Sequence, residues 1–230
     1  MSMWDYYVQA GKEGLRHRVF GYTATEGPTL GVGINANPTA YTAAEGTLCI
    51  DNAASVNTPD NQIVMPVCIS MLCTVAGNGT FWALRFQTDT ATQFSTGGTT
   101  LGAIDTYVDT TSGFTRVTAK GAIHFGDLTL VTGTSRQTVW ECGLAQGSTA
   151  AFEVGDVLEI VFGAFGERGQ GSRGGTAAVT GKFRSIGVPP VWIGRQSSLV
   201  MQMLGTIAST APSFTPAVVT LELGHPRQTS

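Results

Sequence analysis

A chain of 230 residues is long enough to bury a core without disulfide staples, as one large all-β domain or two small ones. Only 13% of its residues are charged, against roughly 25% in an ordinary soluble domain, and the net charge is −3 with lysine at Lys12, Lys120 and Lys182 alone. That balance argues against sequence-independent nucleic-acid binding, which needs clustered cations, and no apolar run reaches the ~18 residues of a membrane-spanning helix.

Residues 1–46 read as an N-terminal arm and irregular segment. Trp4, Tyr6, Tyr7 and Val8 form an aromatic patch, and Gly, Pro, Asn and Thr follow without a period, interrupted by a short strand around Arg18–Tyr22. An aromatic-tipped arm suits a tether to a neighbouring subunit; folding back over its own domain is the equal alternative. The opening MSMWDYYVQAGKEG lacks a basic region followed by an apolar core, so no signal peptide is expected.

Residues 47–51 predict a short strand and Asn52–Asn61 a loop. The most emphatic stretch comes next. Ile63–Val75 and Thr80–Gln87 flank Gly77-Asn78-Gly79, which predicts a tight hairpin. The first run is apolar on both faces. The second alternates Trp82, Leu84 and Phe86 with Ala83, Arg85 and Gln87, a one-sided pattern.

Residues 90–103 read as a polar loop and Ile104–Val108 as a short strand. Phe114–Phe125 and Asp127–Val131 read as two strands parted by Gly126, and Gln137–Ala145 as another. Val157–Phe162 is a strand with Leu158, Ile160 and Phe162 on one face. The glycine-rich stretch 163–175 reads as a loop holding Arg168 and Arg173. Strand character resumes at Ala178–Ile186, Pro189-Pro190 makes a rigid extended turn into Val191–Gly194, Ser198–Ala208 fits strand or short helix, and Thr215–Gly224 closes the chain. No segment holds a long helical period and no internal repeat aligns. Short strands separated by turn signals predict an all-β domain, a single β-sandwich over residues 47–224 with the arm before it and a tail at 225–230.

Chemical motifs are sparse. Gly169-Gln170-Gly171-Ser172-Arg173-Gly174 matches a dinucleotide fingerprint in letters, but it does not open a helix whose N–H groups would hold a phosphate. Cys49, Cys68, Cys73 and Cys142 lack paired spacing, which favours buried free thiols over zinc. Cys68 and Cys73 fall on opposite faces of one strand and cannot bridge. The histidines, His17, His124 and His225, sit in no catalytic motif, and carboxylates such as Asp105 with Asp109 or Glu153 with Asp156 read as solvated faces. No catalytic, cofactor or metal residue is nominated. With 32 Thr beside 30 Gly, the surface is built from hydroxyls and glycine. Such a surface has little electrostatic protection against association, which suits a subunit packed against neighbours.

The Thr/Gly-rich, charge-poor composition, the aromatic arm, and the strand–turn pattern of EVGDVLEIVF and PAVVTLELG together resemble the virion structural proteins of tailed phages: capsid decoration, cement or minor coat subunits. The resemblance implies a jelly-roll-like fold and a non-catalytic homo-oligomer, commonly a trimer, fixed to other capsid proteins after assembly in the host cytoplasm. Neither nucleic acid nor membrane is an expected partner. Trp4, Tyr6, Tyr7, Arg168, Arg173 and Trp192 are the candidate subunit contacts. A tail-associated or surface carbohydrate-binding module is the alternative.

Overall fold

The computed structural model describes residues 16–22, 28–34, 41–53, 63–77, 79–107, 121–132, 135–146, 152–163, 166–173, 181–207 and 211–223. These residues form strands and connections only. In chain order the strands are β1 (Arg16–Tyr22), β2 (Val32–Gly33), β3 (Glu45–Asn52), β4 (Ile63–Val75), β5 (Gly79–Asp89), β6 (Phe94–Thr100), β7 (Gly102–Tyr107), β8 (Gly121–Leu130), β9 (Gln137–Gln146), β10 (Val157–Phe162), β11 (Gly166–Arg173), β12 (Gly181–Val188), β13 (Ser198–Ile207) and β14 (Ser213–Leu223).

They build two sheets packed face to face. The larger runs β11-β12-β10-β4-β14-β1-β7, with β2 also on β14, and the smaller runs β6-β8-β3-β13-β5-β9. Eight of the strands pair antiparallel in a nested order: β1 with β14, β3 with β13, β4 with β10, and β5 with β9. First meets last and each inner pair follows, as when one long hairpin is wound into two sheets. That is the double Greek key of a jelly roll. The other six strands are additions: β2 sits on β14, β6, β7 and β8 extend both sheets on one side, and β11 and β12 extend the larger sheet on the other.

The hairpin expectation is corrected. The run Ile63–Val75 is a strand to the residue, yet β4 and β5 do not pair; they lie in opposite sheets. Between Gly77 and Gly79 the chain passes from the larger sheet to the smaller. Gly77 donates its N–H to Phe152 O at 3.2 Å, and a Cβ there would stand 2.6 Å from Pro212 Cδ. Glycine is needed for close approach, not for a tight turn. The apolar second face of β4 is half solvated, with Leu72 41% exposed, because β4 has a core on one side only.

Other boundaries also move. β6 occupies part of the expected loop 90–103; Gly97 and Gly98, both at positive φ, let its ladder to β8 break and resume. β8 runs straight through Gly126, whose φ of 119° bulges the strand without ending it. Ser198–Ile207 is strand, not helix. The expected loop 163–175 is largely β11, an edge strand on β12. Within the segment assigned to the arm, β1 lies between β14 and β7, and Phe20 is buried, so the sandwich begins by Arg16 and not at residue 47.

The core follows the alternation. Leu158, Ile160 and Phe162 point inward from β10, and Trp82, Leu84 and Phe86 from β5. Phe152 packs edge-on against both Trp82 (5.3 Å) and Phe214 (5.2 Å), and Phe86 meets Phe162 at 5.4 Å. Pro216 sits in β14 between the stretch paired with β2 and the stretch paired with β1, where no ladder bond on that side is lost.

Candidate functional site

Of the residues nominated as contacts, Trp4, Tyr6 and Tyr7 lie outside the described residues. Arg168 and Arg173 lie on β11, the border strand of the larger sheet, where Arg168 is the extra residue of a bulge between Glu167 and Gly169. Trp192 is 57% exposed at one end of the sandwich. Its neighbours Val191 and Ile193 are buried, and Ile193 exchanges backbone bonds with Val64 at 2.9 and 3.0 Å. Asn52 Nδ2 also donates to Ile193 O. The backbone is therefore held on both sides, and the indole projects from a rigid base. Beyond it, exposed Gln196 adopts φ 53°, a left-handed conformation unusual for a non-glycine residue, and donates its N–H to Asn52 O. Trp192 lies on the connection before β13, and Arg168 and Arg173 on the border strand β11.

The densest polar cluster was not nominated from the sequence. At the end of the smaller sheet, Asp51 of β3 accepts from Gln93 N (3.1 Å), Phe94 N (3.2 Å), Cys49 Sγ (3.2 Å) and Ser198 Oγ. Asp89, closing β5, accepts from Ala91 N (3.0 Å) and Ser135 Oγ (2.7 Å). Arg136 donates to Gln93 Oε1, Ala43 O and Val131 O, and its Nε stands 4.0 Å from Asp89 Oδ2. Burial pulls the Arg136 pKa down and Asp89 opposes that pull. His124, stacked on Phe94 at 3.4 Å with rings parallel to 1°, is held at Nδ1 by Thr100 Oγ1 at 3.0 Å. Burial lowers its pKa.

Ser198, His124 and Asp51 are the residue types of a hydrolytic triad, but their wiring differs. A triad carboxylate orients the histidine, and the histidine takes the serine proton. Here the serine bonds the carboxylate directly and the histidine bonds a threonine. Four donors converge on the Asp51 carboxylate, so its oxygens are engaged in fastening backbone and side chains around them. What the cluster does is pin: it fastens the backbone at Ala43, Ala91, Gln93 and Val131 and the side chain of Ser135 to the sheet end.

Other polar contacts join strands and close turns. Glu159 accepts from Ser185 Oγ at 2.9 Å and faces Cys68, whose thiol is pushed up to about 11 by burial and by Glu159. Asp156 accepts from Glu153 N and Lys182 N, closing the turn into β10. Arg85 bridges Glu141 at 2.9 Å and covers the Tyr41 ring at 3.9 Å. All four cysteines are free thiols, Cys49 and Cys73 buried. Among the described residues, no group of three or more His, Cys, Asp or Glu stands close enough to hold a metal ion.

Comparison with known proteins finds no matching family model, no matching curated protein and no matching solved structure.

Proposed function

We propose that this chain is a non-catalytic structural subunit of a virion, assembling as a homo-oligomer on or in a capsid shell and stabilising it through subunit contacts. The observation that carries the reading is the nested jelly-roll pairing, an architecture found in viral capsid domains. The surface supports it, being poor in charge and rich in threonine and glycine. So does the use of the polar groups. Described carboxylates at Asp51, Asp89, Asp156 and Glu159 are occupied in holding connections and strands, which leaves the rims and faces to do the binding. Stabilisation would come from area buried between subunits. The test is light scattering and sedimentation across a concentration series, then co-sedimentation with shells. A persistent oligomer that binds shells supports the reading; a monomer that ignores them defeats it.

A glycan-binding role is favoured by one observation, the exposed Trp192 on a hydrogen-bonded backbone, with exposed Gln196 four residues on, in a fold that lectin domains also use. Indole faces stack on sugar rings and amides bond their hydroxyls. Saturable glycan affinity abolished by Trp192→Ala would favour this second role.

A further inference from the structure

The two sheets do not end together. Phe86 against Phe162 places β5 opposite β10, and Arg184 Nη1 donating to Leu144 O at 3.1 Å places β9 opposite β12. The larger sheet then continues one strand further, to β11, while the smaller sheet stops at β9. Among the described residues no strand of the smaller sheet lies opposite β11. The side chains register this step. Phe86 and Leu84 on β5 are wholly buried, whereas their partners Trp140 and Cys142 on the inner face of β9 are only half-buried. Among the described residues nothing pairs with the outer edge of β9, and β11 overhangs that edge in the facing sheet, which makes a step-like slot there. Extra residues Val139 and Leu144 bulge β9 at either side of a regular stretch, Trp140–Gly143. Bulges at an edge limit how long a partner strand can pair.

We propose that the occupant of this slot is the N-terminal segment, residues 1–15, of a neighbouring copy, adding as a short strand to β9. This rests on the subunit reading above and names its contact. The segment around residues 4–9 alternates Trp4, Tyr6 and Val8 with Asp5, Tyr7 and Gln9, so in extended form one face is apolar throughout. That is the face a slot between two sheets accepts. The segment leaves from β1, which is separated from β11 by β14, β4, β10 and β12. Residues 1–15 reach about 50 Å when extended, enough to leave the subunit. Donor side and acceptor side lie at opposite borders of the sheet, so the contact is head-to-tail, the kind that closes into rings. Backbone bonds to β9 would provide pairing, and Trp4 and Tyr6 the side-chain anchors. On this arrangement Trp4 and Tyr6 of one copy face the β11 border carrying Arg168 and Arg173 in the next, and Tyr7 lies on the other face beside Asp5.

Two measurements on the full chain decide it. The first is the oligomer dissociation constant of the wild type and of the variant with Trp4→Ala, Tyr6→Ala and Tyr7→Ala together, with circular dichroism melting as the check on folding. At least tenfold weaker assembly with an unchanged melt is expected. An oligomer undisturbed by the triple change overturns the slot while leaving the subunit reading intact; a wild-type monomer at every concentration overturns both. The second mixes copies carrying Asp5→Cys with copies carrying Thr138→Cys, a site on the outer face of β9, and treats them with a short bis-maleimide. Each variant alone controls for the native thiols. A cross-linked dimer formed only in the mixture is expected. Its absence, or cross-linking only within one chain carrying both changes, overturns the exchange between copies.

Discussion

Arg136 holds its Nε 4.0 Å from Asp89 Oδ2, with the two side chains only 6% and 0% exposed. This is a buried ion pair at the rim of a β-sandwich, and its arginine also bonds carbonyl groups from two connections. Breaking such a pair from one side leaves a charge without compensation. Arg136→Met is expected to lower stability by about 3–5 kcal/mol. For a chain of this size that is a fall of roughly 10–15 °C in melting temperature, measured calorimetrically. Replacing both partners with apolar residues recovers part of the loss, and a double-mutant cycle gives the coupling.

His124 makes stability depend on pH. Its folded pKa lies below the ordinary value because burial disfavours the cation, with Asp51 opposing. The unfolded chain therefore binds the proton first as pH falls, and the folded state loses stability between about pH 6.5 and the lower folded pKa. Above that window the contribution is fully present. Urea midpoints at pH 7.5 and 5.5 should separate more for the wild type than for His124→Gln. An equal separation would show that carboxylates alone drive the acid response.

Cys68 and Cys73 are held in the thiol form. Burial, then Glu159, pushes Cys68 up to about 11, and burial, then Asp156, pushes Cys73 up to about 12. At pH 8 the Cys68 thiolate fraction is on the order of 100-fold below that of an ordinary cysteine, and alkylation should slow to match. Peptide mass spectrometry after timed iodoacetamide treatment reads the rate residue by residue. Glu159→Gln should speed Cys68 and leave Cys73 unchanged.

Gly205 lies flat against the indole of Trp82. A Cβ there would stand 2.8 Å from Cη2 and 2.9 Å from Cζ3, and Trp82 is fully buried with Phe152 behind it. Gly205→Ala is expected to destabilise by about 1–3 kcal/mol through overpacking. Adding Trp82→Phe to the same chain should relieve part of this, because the smaller ring leaves room.

The strands themselves were legible because alternation is a local signal. Val157–Phe162 comes directly from period-two patterning and Ile63–Val75 from an apolar run, and the inward face of β10 is readable residue by residue. Local glycine signals misled in one direction. Gly77, Gly97, Gly98 and Gly126 read as turn or loop punctuation, yet they serve close approach, bulges and the passage between sheets. A glycine reports that a Cβ is unwelcome, and what stands nearby is a tertiary fact. The rim cluster was invisible for a related reason. Asp51, Asp89, Gln93, Arg136 and Ser198 are commonplace singly and far apart in the chain. Only the registers Ser198 to Asp51 and Ser198 to Asp89 bring them to one place.

By itself, then, the sequence determined that this protein is all-β, which residues alternate toward a core, and that its surface is hydroxyl-rich and poorly charged, because propensity and patterning act between near neighbours. The tertiary structure decided which strands pair, that β4 and β5 lie in opposite sheets, and that the larger sheet outruns the smaller beyond β9. Those choices rest on burying one face of every strand at once, a condition that the whole chain satisfies together and no single segment can express.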